Sequence, residues 1–312
     1  HNTEHHLSHA ASAFYPSKFS QSAILVMDGV GEFATTSIWK GYKNNLILIK
    51  QIDFPNSIGL LYSAITYYAG FKVNSGEYKV MGLAPYGRPV YKEKILKNLI
   101  NINSDGSYEL NMNYFSFPYS DYMTNEKFNN LFGGPAREPE TIVTQKEMDL
   151  ARSVQEVVEE VVIKLSKYAL KVCETDNLCL AGGVALNCVA NGKISKEVTE
   201  NIWIQPAAGD AGGALGSALH FYYNVLGNNL PKKEIDLMKG SYLGPSFSNS
   251  ETKIVLDNLK AQYTKYDFLE LKEIVSDFLN EGKVIGWFQG RMEFGPRALG
   301  NRSIIGDARN SD

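Results

Sequence analysis

The stretch Asn177-Leu178-Cys179-Leu180-Ala181-Gly182-Gly183-Val184-Ala185-Leu186-Asn187 decides the fold class. Residues 177–180 are an apolar run of buried-strand length, the paired glycines end it, and the residues after them open a helix. The same order returns at residues 202–204, which lead into Pro206-Ala207-Ala208-Gly209-Asp210-Ala211-Gly212-Gly213 and a helix through Tyr223. Strand, glycine-rich turn and helix in repetition predict an α/β fold. Upstream, residues 22–27 form another apolar run ending at Asp28-Gly29, and residues 35–41 and 45–53 continue it as a meander around Lys43-Asn44-Asn45. Helices are predicted at residues 5–14, 57–69 and 149–172. The last carries Leu150, Val154, Val157, Val158, Val161, Val162, Leu165, Tyr168 and Ala169 at helical spacing. Residues 101–140 are irregular and aromatic-rich and read as an insertion.

Beyond Tyr223 the composition turns polar at residues 227–239, as expected of a linker. A helix (272–280), a strand (284–288), a charged glycine-rich loop (289–302) and a last strand (303–305) follow. The predicted domains are 1–228 and 229–312, in keeping with 312 residues at about 100–200 per domain. Lysine and arginine total 31 against 34 acidic residues, so no basic surface advertises nucleic acid. No apolar run approaches the ~20 residues that cross a bilayer. Cys173, Cys179 and Cys188 are odd in number and lack C-x-x-C spacing, which predicts reduced, buried thiols in a cytoplasmic protein.

Four of the five histidines fall within the first nine residues. His5 and His9 stand i, i+4, so on a helix both imidazoles project from one face and can share an ion. A packing pair is the plainer alternative. Asp28 favours the ion, because it ends the next strand, where α/β proteins place ligands. Mixed nitrogen and carboxylate donors suit iron, manganese or zinc, and spacing does not choose among them. His6 falls on another helix face, where packing or a hydrogen bond is expected, and His1 carries no assigned role.

Three glycine-rich turns could approach a phosphate. Asp28-Gly29-Val30-Gly31-Glu32 follows a strand, and its N–H groups can cradle an anion, although Asp-Gly is also a common hairpin signal. Gly182 to Asn187, and Gly209 to Gly213 with Asp210 presented, each join a strand to a helix N-terminus. Gly212-Gly213-Ala214-Leu215-Gly216 lacks the dinucleotide spacing, and no Walker lysine motif occurs. Arg291, Arg297 and Arg302 crowd one loop with Glu293, which is expected to hold an arginine in place; arginine forks suit phosphate or carbamoyl oxygens. Glu77 and Lys79 are further candidates for orienting a substrate, with generic surface charge as the alternative.

Five motifs occur in one order: His5-x-x-x-His9-Ala-Ala-Ser-Ala-Phe14, Asp28-Gly-x-Gly-Glu32, Lys79-Val-Met-Gly-Leu-Ala-Pro-Tyr-Gly87, Gly182-Gly-Val-Ala-Leu-Asn187 and Gly295-Pro-Arg-Ala-Leu-Gly-Asn-Arg-Ser303. Together they resemble the NodU/CmcH family of O-carbamoyltransferases, from His5 to about Arg309. The resemblance implies an actin-like ATPase domain (ASKHA, TsaD-like) followed by the start of a YrdC-like α/β domain. It implies ATP and carbamoyl phosphate as substrates, carbamoyl adenylate as intermediate, and a hydroxyl of a sugar or antibiotic-like acceptor as the target.

On this sequence the implied metal ligands are His5, His9, Asp28 and Asp210, with iron as the ion. Gly29, Gly31, Glu32, Gly182, Gly183, Asn187 and Gly212 would serve the nucleotide, and Arg297, Arg302 and Lys79 the chemistry. No nucleic acid or membrane is expected as a partner, and a homodimer is compatible with the resemblance. The family pattern further predicts elements before His1 and after Asp312, so a piece truncated at both ends is expected. Such a piece would bind metal poorly and lack complete activity alone. Two alternatives are a TsaD-like tRNA threonylcarbamoyl transferase, which the Arg297 loop and the absence of basic excess disfavour, and a non-catalytic nucleotide-binding module.

Overall fold

An apolar strand that must be covered on both faces sits at the middle of a sheet, and residues 22–27 occupy that position. The computed structural model describes residues 2–230 and 236–310 and divides into two units, His1–Leu237 and Met238–Asp312. His1 and residues 231–235 of the expected linker lie outside the described residues. In the first unit the order is α1 (His5–Phe14), β1 (Gln21–Gly31), β2 (Ala34–Tyr42), β3 (Asn45–Asp53), α2 (Ile58–Tyr68), α3 (Glu77–Leu83) and α4 (Lys92–Asn98). It continues with β4 (Ile100–Ile102), β5 (Tyr108–Leu110), α5 (Glu126–Leu131), α6 (Gln145–Cys173), β6 (Leu178–Ala181), α7 (Cys188–Glu197), β7 (Ile202–Ile204) and α8 (Gly212–His220).

Five strands form one sheet in the order β3-β2-β1-β6-β7. The β1–β2 and β2–β3 pairs are antiparallel, and β1–β6 and β6–β7 are parallel. Side chains alternate across the sheet as the pleat requires. Ala23, Leu25 and Met27 of β1, with Leu178 and Leu180 of β6, join a core built with α2 and α6. Ile24 and Val26, with Cys179 and Ala181, join the other core, which contains Ala10, Ala13 and Phe14 of α1. Burying each large apolar side chain stabilises by about 1.5–3 kcal/mol, so the run stays apolar from Ala23 until it reaches Asp28 at the strand's far end.

Helix α6 begins at a reciprocal capping box of Thr144 and Glu147 and stops where Glu174 turns left-handed, at φ 54°. The aromatic segment at 101–140 contributes the β4–β5 hairpin, a 3-10 turn at Met112–Tyr114 and the short α5 as regular structure, plus a buried cluster of Phe115, Phe128 and Phe132. The insertion is nevertheless anchored to the framework. The Ile58 N–H donates to the buried Tyr108 hydroxyl at 2.9 Å, and Thr36 Oγ1 lies 2.8 Å from the same oxygen.

The second unit contains α9 (Asn249–Asn258), α10 (Phe268–Asn280) and a hairpin of β8 (Ile285–Phe288) and β9 (Arg302–Ile305). Helix α9 carries a Ser248–Glu251 capping box that the sequence reading passed over. Met238 and Ser241 are the buried residues of this unit among those described. The cysteines differ from expectation in one respect: Cys173 and Cys179 are buried, whereas Cys188 is exposed at the first turn of α7. No described helix is long and apolar enough to cross a membrane.

Candidate metal centre

The parallel strands β1, β6 and β7 deliver their carboxyl ends to one side of the sheet. β1 pairs with its sequence neighbour on one side and with a distant strand on the other, so the sheet order reverses there. Such switch points are where open α/β sheets bind ligands. Asp28 lies in the last turn-ward residues of β1, Gly182 directly follows β6, and Asp210 lies beyond β7. Helix α1 packs alongside and brings the histidines in.

His5 Nε2 stands 2.9 Å from Asp28 Oδ2, His9 Nε2 stands 3.2 Å from the same oxygen, and the two Nε2 atoms are 3.0 Å apart. One donor atom from each of His5, His9, Asp28 and Asp210 falls within a 4.8 Å set. The spacing tests whether an ion fits. Donors at about 2.1 Å from one ion stand about 3.0 Å apart when cis on an octahedron and about 3.4 Å apart on a tetrahedron. The three separations are short enough for the donors to share one ion, and a mixed imidazole and carboxylate set of four suits iron, manganese or zinc. His9 is fully buried, and its Nδ1 has no hydrogen-bond partner among the described residues, so packing and the Nε2 contacts to Asp28 and His5 hold its ring.

Burial drives the Asp28 carboxyl up. Hydrogen bonds from His5 and His9, and from the Gly29 N–H, outweigh it and hold Asp28 well below the usual carboxylate range. The hydrogen bond to Asp28 raises His5, and burial opposes it. Asp28 Oδ1 faces away from the rings and accepts from the Gly29 N–H at 2.8 Å and the Gly183 N–H at 3.4 Å. The carboxylate is thus oriented from behind by the glycine turn. Gly31 makes close approach possible: a Cβ there would sit 2.7 Å from His5 Cγ and 2.9 Å from His6 Cδ2, so any other residue would displace the rings. His6 points elsewhere as expected. Its Nδ1 lies 2.7 Å from Ser37 Oγ, and burial pushes the ring down to about 4.

The remaining candidates separate into groups. Glu32 is exposed at the tip joining β1 to β2, with φ 62°. Gly182 and Gly183 border Asp28, and Gly212 is buried at the start of α8. Asn187 is in the expected turn, but its side chain is committed internally: it caps α7 by accepting from the Ala190 N–H at 3.1 Å and pairs with Gln155. Lys79 is exposed on α3, with its Nζ 5.8 Å from the Phe71 ring centroid, and no hydrogen bond or ion pair joins it to the cluster. Glu77 accepts from Ser63 Oγ and the Asn74 N–H, a supporting role.

Arg297 and Arg302 belong to the second unit. Arg302 spends its fork on the carbonyls of Gln289, Asn301 and Gly290 and stacks 3.3 Å from the Phe288 ring centroid. Among the described residues no ion pair joins Glu293 to an arginine side chain. Its Oε1 accepts three backbone N–H groups, from Leu299, Asn301 and Arg302, because the loop curls its amides inward. Sequence reasoning also passed over Ser57, whose hydroxyl lies 2.7 Å from the Gly29 carbonyl and accepts from the Leu60 N–H at 3.0 Å. A serine directly before an apolar helical run was the available signal.

Residues 1–219 match the family model described as Carbamoyltransferase N-terminus, and residues 276–312 match Carbamoyltransferase C-terminus. The chain is 57% identical over 311 residues to an uncharacterized protein of Synechocystis, covering 99% of this chain and 51% of that one. It is 35% identical over 312 residues to the nodulation protein NolO of Bradyrhizobium diazoefficiens, covering 99% of this chain and 54% of the relative. A shorter match, 32% over 135 residues, joins it to the 3'-hydroxymethylcephem-O-carbamoyltransferase of Streptomyces clavuligerus, covering 43% and 23%. The chain spans about half the length of the first two relatives.

Proposed function

The chain belongs to the carbamoyltransferase family, and from that premise we propose that the protein transfers a carbamoyl group to a hydroxyl of a sugar or natural-product acceptor. The donor is carbamoyl adenylate, made from ATP and carbamoyl phosphate. The observation that carries this reading is the convergence of His5, His9 and Asp28 at the sheet's switch point, within 2.9–3.2 Å of one another. In this reading these residues and Asp210 hold a divalent ion, Fe2+ first among the candidates. Such an ion supplies Lewis acidity, polarising a carbamoyl or phosphoryl oxygen.

The chain's own groups do the rest. Gly29, Gly31 and Glu32 flank the centre from β1, and Gly182, Gly183 and Gly212, with the turn that ends at Asn187, form the nucleotide side. Lys79, Arg297 and Arg302 supply positive charge for phosphate and carbamoyl oxygens. Arg302 would have to release a carbonyl partner to do so. The sheet order, with β2 antiparallel to its four companions, supports an actin-like, TsaD-like first domain in residues 1–228. Residues 229–312 are then the start of a YrdC-like domain. The reading assigns the reaction to the cytoplasm, without nucleic acid or membrane.

The test is mass spectrometry of the natural full-length protein with ATP, carbamoyl phosphate and a panel of hydroxylated acceptors. Carbamoylated product with AMP release is expected, together with its loss in His9→Ala. Transfer without AMP would exclude the adenylate route, and unchanged turnover in His9→Ala would exclude the metal centre.

A further inference from the structure

Three polar side chains, Gln155, Glu159 and Tyr62, form a buried network with Asn187 at the end of the glycine turn. Gln155 and Glu159, one turn apart on α6, are 0% and 2% exposed. Gln155 Nε2 donates to Glu159 Oε1 at 2.9 Å and to Asn187 Oδ1 at 3.0 Å. Gln155 Oε1 accepts from Asn187 Nδ2 at 2.9 Å and from the Tyr62 hydroxyl at 3.1 Å. All four hydrogen-bonding positions of the Gln155 amide are therefore filled.

The polarity of this network is determined by its far end. Glu159 is paired with Lys193 Nζ at 2.5 Å, and a carboxylate in an ion pair offers only acceptors. Gln155 must turn its NH2 towards Glu159, so its carbonyl faces Tyr62 and the Asn187 amide. Asn187 must then present Oδ1 to the Gln155 NH2, the same orientation that caps α7 through the Ala190 N–H. Both amides have one consistent orientation.

Asn187 ends the turn that begins at Gly182 and supplies the Gly183 N–H to Asp28 Oδ1. We propose that Gln155 is a positioning residue for the metal centre: its paired amide bonds with Asn187 hold the 182–187 turn against β1. The turn keeps Asp28 Oδ1 occupied from behind, so that Oδ2 faces His5 and His9. Asn187 therefore acts through the turn's shape. This inference rests on the metal-centre reading above.

The experiment is a titration of the full-length protein with Mn2+, following the EPR signal of the free ion. Gln155→Met removes every bond of the amide at similar volume. Asn187→Asp keeps the α7 cap but sets a carboxylate oxygen against Gln155 Oε1, so it tests the same link should the first variant fail to fold. Each is expected to weaken Mn2+ binding by more than about threefold, short of the roughly tenfold or more lost when a direct outer partner of a metal ligand is removed. Val161→Ala, which opens a cavity in the core beside the same helix, should lower Tm while leaving Mn2+ affinity within about twofold. Unchanged affinity in both polar variants, or equal weakening in Val161→Ala, overturns the positioning role. His9→Ala separates the two ideas: if it binds Mn2+ as the parent does, the metal centre itself is wrong. If it loses binding while Gln155→Met does not, only the role of Gln155 fails.

Discussion

Gly182→Ala offers a direct test of how the turn sits on the sheet. Gly182 has φ 87° and ψ 161°, a conformation essentially restricted to glycine. A Cβ there would overlap the Met27 carbonyl, lying 2.6 Å from its carbon, and that carbonyl belongs to the central strand. Two costs follow. Holding alanine in this backbone region costs about 1–3 kcal/mol, and forcing an extra carbon into a packed interior costs about another 1–3 kcal/mol. The sum, about 2–6 kcal/mol, is a large share of the roughly 5–15 kcal/mol that stabilises a typical fold. With a urea slope of about 1–3 kcal/mol/M, the midpoint should fall by at least about 0.7 M. Urea titration of a Trp287→Phe background, followed by the fluorescence of Trp39 and Trp203, reads this out from the same sheet. Gly29→Ala is the matched control, since its Cβ would meet only Leu60 Cδ2, at 3.9 Å. Should Gly182→Ala unfold within about 0.5 kcal/mol of the parent, or should Gly29→Ala lose as much, the assigned packing of the turn is wrong.

Ser57→Ala removes both an N-cap and the hydroxyl beside the Gly29 carbonyl, and should cost about 1–2 kcal/mol in the same titration. Phe128→Ala empties the centre of the cluster with Tyr68, Phe115 and Phe132, and should cost about 3–5 kcal/mol; a loss below about 1 kcal/mol would mean the insertion is not packed as described. The N–H groups around Glu293 lower its carboxyl to about 2, against about 4.3 in an unfolded chain. Because the folded value is depressed, the stabilisation is complete above the unfolded value and disappears as pH falls towards 2. A carbon-13 titration of the Glu293 carboxyl should report a midpoint near 2, and an ordinary glutamate midpoint would refute the three-bond cradle.

The elements most legible in the sequence were those whose pattern is local. Helix α6 announces itself by apolar residues at helical spacing, and β1 by an apolar run that two covered faces require. Helix α9 was passed over because its sequence, Asn249 to Asn258, carries few apolar positions and none of them is buried. Gln155 and Glu159 sit one turn apart on α6, and as charged and amide residues they would ordinarily be expected to meet solvent. Tyr62 of α2, the turn ending at Asn187 and Lys193 of α7 together cover them. Glu293 illustrates the same limit. A carboxylate among arginines suggests ion pairs, but the loop's curl brings three backbone amides to it first.

The repetition of strand, glycine turn and helix, and the shared helix face of His5 and His9, are readable from the chain alone because both follow from periods of the backbone. The sequence also carried the ordered motifs that mark the carbamoyltransferase family. Only the tertiary structure decided which of those residues meet. Asp28 reaches the histidines because parallel strands end together at the switch point, and Gly31 lets the rings lie against the strand. Asn187 turns inward for the same kind of reason: a buried amide must be satisfied, and Gln155, 32 residues earlier, is the partner that packing puts beside it.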